Sequence, residues 1–396
     1  MGISRFVKER IVDVLRLILF NLSKLSPRDN NIWVFGTGKN PNESQKYLYN
    51  YIVENYPEIR PIWIVKRRKH LEYTKKIGKE VYYHRSLKAI KYMLKAKVFI
   101  TCYGPDGFGI FHLYGGAILA ELFHYTNFKL AKFDYRKRRF HKLKKFIEIL
   151  KGDRVNIGFV SSENDKKQMR SGYEELIGEL VITGKPKNDI LFKKVNRQKL
   201  IKEWTNRDIE FSKIISYLPS HRMGNEESDI EVLMYLRPDW DEKRMEGILE
   251  ENNAILLIKK HPSWEMENKF LNKKSNRIIF LPTIIDTQDI LRISDILITD
   301  YSTVFIDYLL LNRPIIFTPF DLEHFKKVRG FYYEYETITP GPKVVTFDDL
   351  TKAILEYLKN PNKDSDLRLS VQKIFHKYID DRSCERVMNE LLKRIE

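Results

Sequence analysis

Two histidines and the polar residues near them carry the chemistry open to this chain. His261 follows the apolar run AILLIKK and precedes Pro262, and proline disfavours helix at the residue before it. That places His261 at a strand end beside Lys259 and Lys260, a grouping that reads as an anion site. His124 closes the run GGAILAELFH, with Lys129 shortly after it. A histidine titrating near neutrality is a natural general base. The third cluster is Asp300-Tyr301-Ser302-Thr303, between DILIT and VFIDYLLLN. A helix starting near Ser302 would turn free N–H groups and a positive dipole end outward, which suits a phosphate. Ser302 or Thr303 as a plain helix cap is the simpler reading, and the two roles are compatible. Pro219-Ser220-His221-Arg222 and Pro319-Phe320-Asp321 close two further apolar runs.

Other chemistries find less support. FGTGKNPN matches neither GxxxxGK[ST] nor GxGxxG, so Gly36 and Gly38 read as turn glycines. No DxD-type carboxylate pair closes a strand in the first half, and Cys102 and Cys384 lie in no metal-ligand spacing. Neither a metal nor a cofactor is expected. Two cysteines cannot form a disulfide framework, which points to a reducing, cytoplasmic setting.

The elements that must position these residues alternate along the chain. NIWVFG, RPIWIVK, KEVYYH, AKVFITCY, NIGFVSS and LVITGKP read as strands, with ESQKYLYNYIVENY and SLKAIKYMLKA as helices between them. The pattern restarts at KIISYLPS and continues through helix DIEVLMYLR, strands AILLIKKH and RIIFLP, helix TQDILRIS, strand DILITD, helix TVFIDYLLLN and strand PIIFTPF. FDDLTKAILEYLKN and SVQKIFHKYIDDRSCERVMNELLKRIE read as closing helical segments. Such alternation indicates βα units on parallel sheets, and ligands then sit beyond the carboxyl ends of the strands. At 396 residues the chain exceeds one hydrophobic core. The polar stretch around 195–212 is the natural boundary. The division expected is a helix over 1–28, a first Rossmann-like domain over 29–200 and a second over 201–396, with the last helix packing back on the first domain.

A net charge of +17 is unusual and points toward an anionic partner, with nucleic acid, anionic lipid headgroups and a phosphate-rich substrate as the candidates. Between Lys129 and Lys151 lie eleven basic residues, counting His141, against Asp134 and Glu148. A solvated helix face explains this run as well as a docking surface does. In ISRFVKERIVDVLRLILFNLSKL, apolar Ile11, Val14, Leu15, Ile18, Leu19 and Leu22 alternate with Lys8, Arg10, Arg16 and Lys24, which suits an interfacial amphipathic helix. No segment has the roughly 20 apolar residues of a membrane span.

Taken together, the strand ends resemble the CDP-glycerol glycerophosphotransferase family of teichoic-acid primases and polymerases. The resemblance is densest over 298–345, in TDYS, the following Phe-x-Asp-Tyr, Arg329-Gly330-Phe331-Tyr332 and Pro340-Gly341-Pro342. TGKPKNDILF is similar to the family's TGxPRND element with Lys187 in place of arginine, and KKHP to its KxHP motif. The resemblance implies two Rossmann-like domains facing across a cleft (the GT-B type), the nucleotide held mainly by the second. It also implies peripheral attachment to the cytoplasmic face of the membrane.

Residue by residue, His124 falls on the family's WHG histidine, Lys129 on the lysine after it, and His261 on the KxHP histidine. Ser302 and Asp307 fall on nucleotide-substrate contacts. Two elements depart from the family. WHGxPLKK is here Phe123-His124-Tyr125-Thr126-Asn127-Phe128-Lys129-Leu130, with Tyr125 for glycine, and YAPTWR is here Tyr217 to Arg222 with only Tyr, Pro and Arg retained. Donor-side motifs hold better than acceptor-side ones, which points to a divergent acceptor, or to a different alditol or sugar on the nucleotide.

The reaction this implies is transfer of an alditol phosphate from a CDP-alditol to a hydroxyl of a lipid-linked glycan or teichoic-acid-like acceptor, with CMP released. His124 and His261 would be catalytic. Lys129, Arg222, Lys259, Asp300, Ser302, Thr303, Asp307 and Arg329 would contact substrate. Expected partners are the donor, the acceptor and an anionic membrane surface, without nucleic acid. Rival readings are a GT-B glycosyltransferase using a nucleotide sugar, and a non-enzymatic nucleic-acid- or membrane-binding protein.

Overall fold

The computed structural model describes residues 3–37, 43–131, 134, 154–220, 233–259 and 275–395, side chains of 3–10 and 174 excepted. His261, Lys260, Arg222 and most of the basic run after Lys129 lie outside them. The chain divides into two compact units. The first comprises Met1–Asn127, Ala131–Asp189 and Asp380–Glu396; the second comprises Phe128–Leu130 and Ile190–Ile379.

In the first unit seven strands form one sheet: β1 (Asp29–Gly36), β2 (Arg60–Val65), β3 (Val81–Tyr83), β4 (Ala96–Thr101), β5 (Ile118–Glu121), β6 (Val155–Val160) and β7 (Ile177–Ile182). Their order is β3-β2-β1-β4-β5-β6-β7, and every pairing is parallel. Parallel strands are covered on both faces, so they read as continuous apolar runs. Strand alternation sends Val34, Ile62 and Phe99 to one core, and Trp33, Phe35, Trp63 and Ile100 to the other. The helix Ser383–Leu392 covers that second face with Cys384, Val387, Met388 and Leu391.

The second unit carries β8 (Lys213–Tyr217), β9 (Ala254–Lys259), β10 (Ile278–Leu281), β11 (Ile296–Thr299) and β12 (Ile315–Phe317). The order is β10-β9-β8-β11-β12, again all parallel. Both sheets thus run outward in both directions from their first strand, the Rossmann arrangement, in which the crevice lies where the order reverses. That point is β1/β4 in the first unit and β8/β11 in the second.

Several local expectations are corrected. VFIDYLLL is a short helix, Val304–Tyr308, continued as 3-10 turn Leu309–Leu311 rather than one long helix. The closing segment is two helices, Ser365–Phe375 and Ser383–Leu392, not one. In DIEVLMYLR, the described part is a 3-10 turn, Met234–Leu236, and the helix before β9 is Glu242–Glu251. The polar stretch near 195–212 contains a helix of its own, Arg197–Thr205, capped by Asn196.

The N-terminal helix Ile3–Ser23 is present. Leu19 and Phe20 pack on the first core, and the Ser23 hydroxyl accepts the Gly115 N–H at 2.9 Å. Ile11, Val14, Ile18 and Leu22 are exposed. No described helix is long and apolar enough to cross a membrane.

Candidate active site

His124 lies just beyond the end of β5, after Phe123, whose φ of 49° is in the left-handed region. That turn throws the imidazole toward the loop that follows β4. Its Nδ1 is 3.3 Å from the Cys102 carbonyl oxygen. A carbonyl oxygen only accepts, so the proton belongs on Nδ1 and Nε2 is the basic nitrogen. The Tyr103 ring stacks on the imidazole, 4.7 Å between centroids and 19° between planes. Tyr125, where the family has glycine, meets it edge-on at 4.2 Å and 87°.

A buried carboxylate shapes this corner. Glu121, the last residue of β5, accepts the Gly104 N–H at 2.7 Å through Oε2 and the Phe123 N–H at 3.0 Å through Oε1. It ties the β4 and β5 loops together across adjacent strand ends. Tyr103 donates its hydroxyl to Glu43 Oε1 at 3.0 Å. Burial, then the Glu43 charge, pushes the phenol well above its ordinary pKa, so it remains a donor. A cavity of about 310 Å³ opens here, lined by Tyr103, Asp106, Glu121, His124 and Tyr173 among others.

The segment TGKPKND explains how the backbone around His124 is held. Lys185 is fully buried; its Nζ donates to the carbonyls of Leu122 at 3.2 Å and Phe159 at 3.0 Å, and lies 3.8 Å from Asp165 Oδ2. Asp165 in turn accepts the N–H groups of Asn127 and Ser161. Lys187 Nζ donates to the His124 carbonyl at 3.2 Å. Asp189 caps the helix Ser383–Leu392, accepting the Ser383 and Cys384 N–H groups at 3.0 and 2.8 Å. Burial raises its pKa, against the pull of those hydrogen bonds. Sequence reading marked TGKPKND as a resemblance but gave Lys185 and Lys187 no role. It also passed over Tyr103, Glu121 and Glu43, whose only signal was nearness to strand ends.

In the second unit, Asp300 organises the reversal point. Its Oδ1 accepts N–H groups from Ser220 at 2.8 Å, Tyr301 at 2.5 Å and Ser302 at 3.1 Å, and the side chain is buried. The expected Ser/Thr capping is corrected accordingly. Thr303 occupies the cap position without a side-chain cap, and the Ser302 N–H is spent on Asp300 instead of facing outward. A carboxylate accepts more strongly than a hydroxyl and reaches three donors at once. Asp300 therefore shapes the loop, while the Ser302 and Thr303 side chains remain half-buried at its edge. Tyr301 turns inward, stacked on Phe325 at 4.1 Å.

Lys259 and Asp307 each bond the start of the helix Thr287–Ile293. Lys259 Nζ donates to Thr287 Oγ1 at 2.8 Å, and Asp307 Oδ2 accepts from Gln288 Nε2 at 3.1 Å. Both are buried, at 7% and 3% exposure, so neither is a surface charge. The backbone at Lys129 pairs with the segment that follows Arg329. Leu130 N–H donates to Gly330 O and Tyr332 N–H to Phe128 O, which makes 128–130 an antiparallel partner of 330–332. Gly330, at φ 71°, permits that turn. Lys129 Nζ lies 5.6 Å from the Phe128 ring and 5.8 Å from the Phe325 ring, within cation–π range.

The arrangement therefore offers a positioned imidazole in one unit and a reversal point of polar strand ends in the other. Among the described residues no group of His, Cys, Asp and Glu could hold a metal.

Comparison with known proteins places the chain. Over 394 residues it is 26% identical to the teichoic acid poly(glycerol phosphate) polymerase of Bacillus subtilis strain 168, covering 95% of this chain and 50% of that one. It is 29% identical over 248 residues to the teichoic acid ribitol-phosphate polymerase TarL of Staphylococcus aureus strain NCTC 8325, covering 62% and 43%. The chain thus spans half or less of either relative's length. Its fold matches the solved structure of the wall teichoic acid polymerase TagF with a TM-score of 0.73 at 22% identity, covering 100% of this chain and 98% of that one. The expected class, α/β with two Rossmann-like units, is the fold observed. The family profile for CDP-glycerol:poly(glycerophosphate) glycerophosphotransferases matches residues 18–393, nearly the whole span that carries both sites, and the chain belongs to that family.

Proposed function

We propose that this chain transfers an alditol phosphate from a CDP-alditol to a hydroxyl of a membrane-associated glycan or teichoic-acid-like acceptor and releases CMP. The observation that carries this reading is family membership across residues 18–393. His124 takes the acceptor hydroxyl proton on Nε2, and the oxygen attacks the β-phosphorus in line. A new P–O bond forms as the bond from that phosphorus to the bridging oxygen breaks, and CMP departs with the electron pair. A positioned base of this kind contributes roughly 10²–10⁴-fold.

Charge gathers on the transferred phosphoryl group and the leaving phosphate, and fixed cations there supply the larger effect. His261 and Arg222, which lie outside the described residues, take this part on the strength of the motifs they belong to in the sequence. Lys129, on the paired segment 128–130, and Arg329, just before its partner segment, add two further cations, with the Ser302 and Thr303 hydroxyls as further donors. Lys259 and Asp307 brace the helix after β10 through Thr287 and Gln288.

Attachment to the membrane goes through the helix Ile3–Ser23. Its exposed Ile11, Val14, Ile18 and Leu22 form an apolar side, and its basic residues suit anionic headgroups. The site of action is the cytoplasmic face, where a lipid-linked acceptor and a nucleotide donor meet.

The test is product analysis with CDP-glycerol, CDP-ribitol and a panel of nucleotide sugars. CMP release with a new phosphodiester supports the reading. A new glycosidic bond from a nucleotide sugar would replace it with glycosyl transfer.

A further inference from the structure

We infer that Tyr103, anchored by Glu43, is a positioning residue that fixes the plane of the His124 imidazole; this rests on the reading of His124 as the base. The hydrogen bond from Nδ1 to the Cys102 carbonyl fixes one point of the ring, and a hydrogen bond at one atom does not by itself set a plane. A face-on contact does set it, and the Tyr103 ring provides one at 4.7 Å and 19°. Tyr125 limits the ring from its edge.

Tyr103 is itself held at three points. Its N–H donates to Thr101 Oγ1 at 3.1 Å, its hydroxyl donates to Glu43 Oε1 at 3.0 Å, and the next residue's N–H is gripped by Glu121. Thr101 ends β4 and Glu43 follows β1, so the hydroxyl contact bridges the two strands at the reversal point of the sheet. Reacting groups must be held to within fractions of an ångström, and the stack aims Nε2 rather than merely filling space.

The experiment uses the full chain with CDP-glycerol or CDP-ribitol, whichever is turned over, and a lipid-linked glycerol-phosphate acceptor, reading CMP release. Tyr103→Leu should lower kcat about 10- to 100-fold with KM for the donor unchanged. Tyr103→Phe keeps the stacked ring but loses the Glu43 anchor, so it should cost roughly three- to tenfold, and Glu43→Ala, which breaks the same hydrogen bond, should cost about as much. Thermal melts accompany each variant. If Tyr103→Leu does not fold, Glu43→Ala decides. Wild-type kcat in a folded Tyr103→Leu or Glu43→Ala protein would overturn the inference, as would a Phe variant as damaged as the Leu one. An active His124→Ala protein would instead remove the base. An inactive His124→Ala beside a fully active Tyr103→Leu would confine the failure to the positioning claim.

Discussion

The Lys187 ammonium donates to the backbone carbonyl of His124 at 3.2 Å, so a residue 63 positions later in the chain holds the backbone that carries the imidazole. Lys185, two residues earlier, does the same for the Leu122 carbonyl. Together they turn TGKPKND from a conspicuous string into a clamp on the β5 loop.

That relationship predicts how Lys187 variants behave. Lys187→Met should lower kcat about tenfold or more through loss of aim, with little change in donor KM. Lys187→Arg, which restores the family's residue and a donor, should retain most activity. Steady-state CMP release checks both, and equal damage from the two would contradict the clamp.

Asp300 should prove structural before it proves chemical. Its replacement by alanine strands N–H groups of Ser220, Tyr301 and Ser302 that now share one carboxylate oxygen. A loss of about 2–4 kcal/mol is expected from leaving such donors unsatisfied. Urea unfolding measures it, and donor affinity should weaken in parallel. Unchanged stability would show that water satisfies these groups and that Asp300 is not the organiser of the loop.

His84 gives the fold a dependence on pH. It is 3% exposed, and burial, then the Arg85 and Lys66 charges, lower its pKa to about 4 from 6.5. Between those values the unfolded chain binds a proton that the folded one does not, so stability rises with pH across the window and is lost on acidification through it. The contribution is about 2–3 kcal/mol at neutrality. Stability curves from pH 7 to 4 should be flatter for His84→Leu than for the wild type; parallel curves would exclude the effect.

The exposed side of the first helix makes a prediction for membranes. Replacing Ile11, Val14, Ile18 and Leu22 by aspartate should abolish sedimentation with anionic vesicles and leave the fold intact, since Leu19 and Phe20 make the packing contacts. Undiminished binding would shift attachment to the basic segment after Lys129.

The two sheets were legible in the sequence because buried parallel strands write themselves as apolar runs such as NIWVFG and DILIT. The strand ends followed from that, and with them His124 and the Asp300 cluster. Less was visible where contacts join distant segments. Nothing local in TGKPKND shows that Lys185 and Lys187 reach back to Leu122 and His124, or that Asp189 caps a helix near residue 383. The Ser/Thr cap was expected from local propensity, but Thr303 makes no side-chain cap, and the Asp300 carboxylate instead ties up the loop before the helix. Lys259 reads as a rim cation, yet it is buried against Thr287 because the helix after β10 covers it.

The measurement that bears most directly on the central claim is CMP release by His124→Ala with CDP-glycerol or CDP-ribitol and a lipid-linked acceptor, alongside donor binding by calorimetry. The account predicts turnover reduced by about 10²-fold or more with donor binding retained. Wild-type turnover in that variant would contradict it.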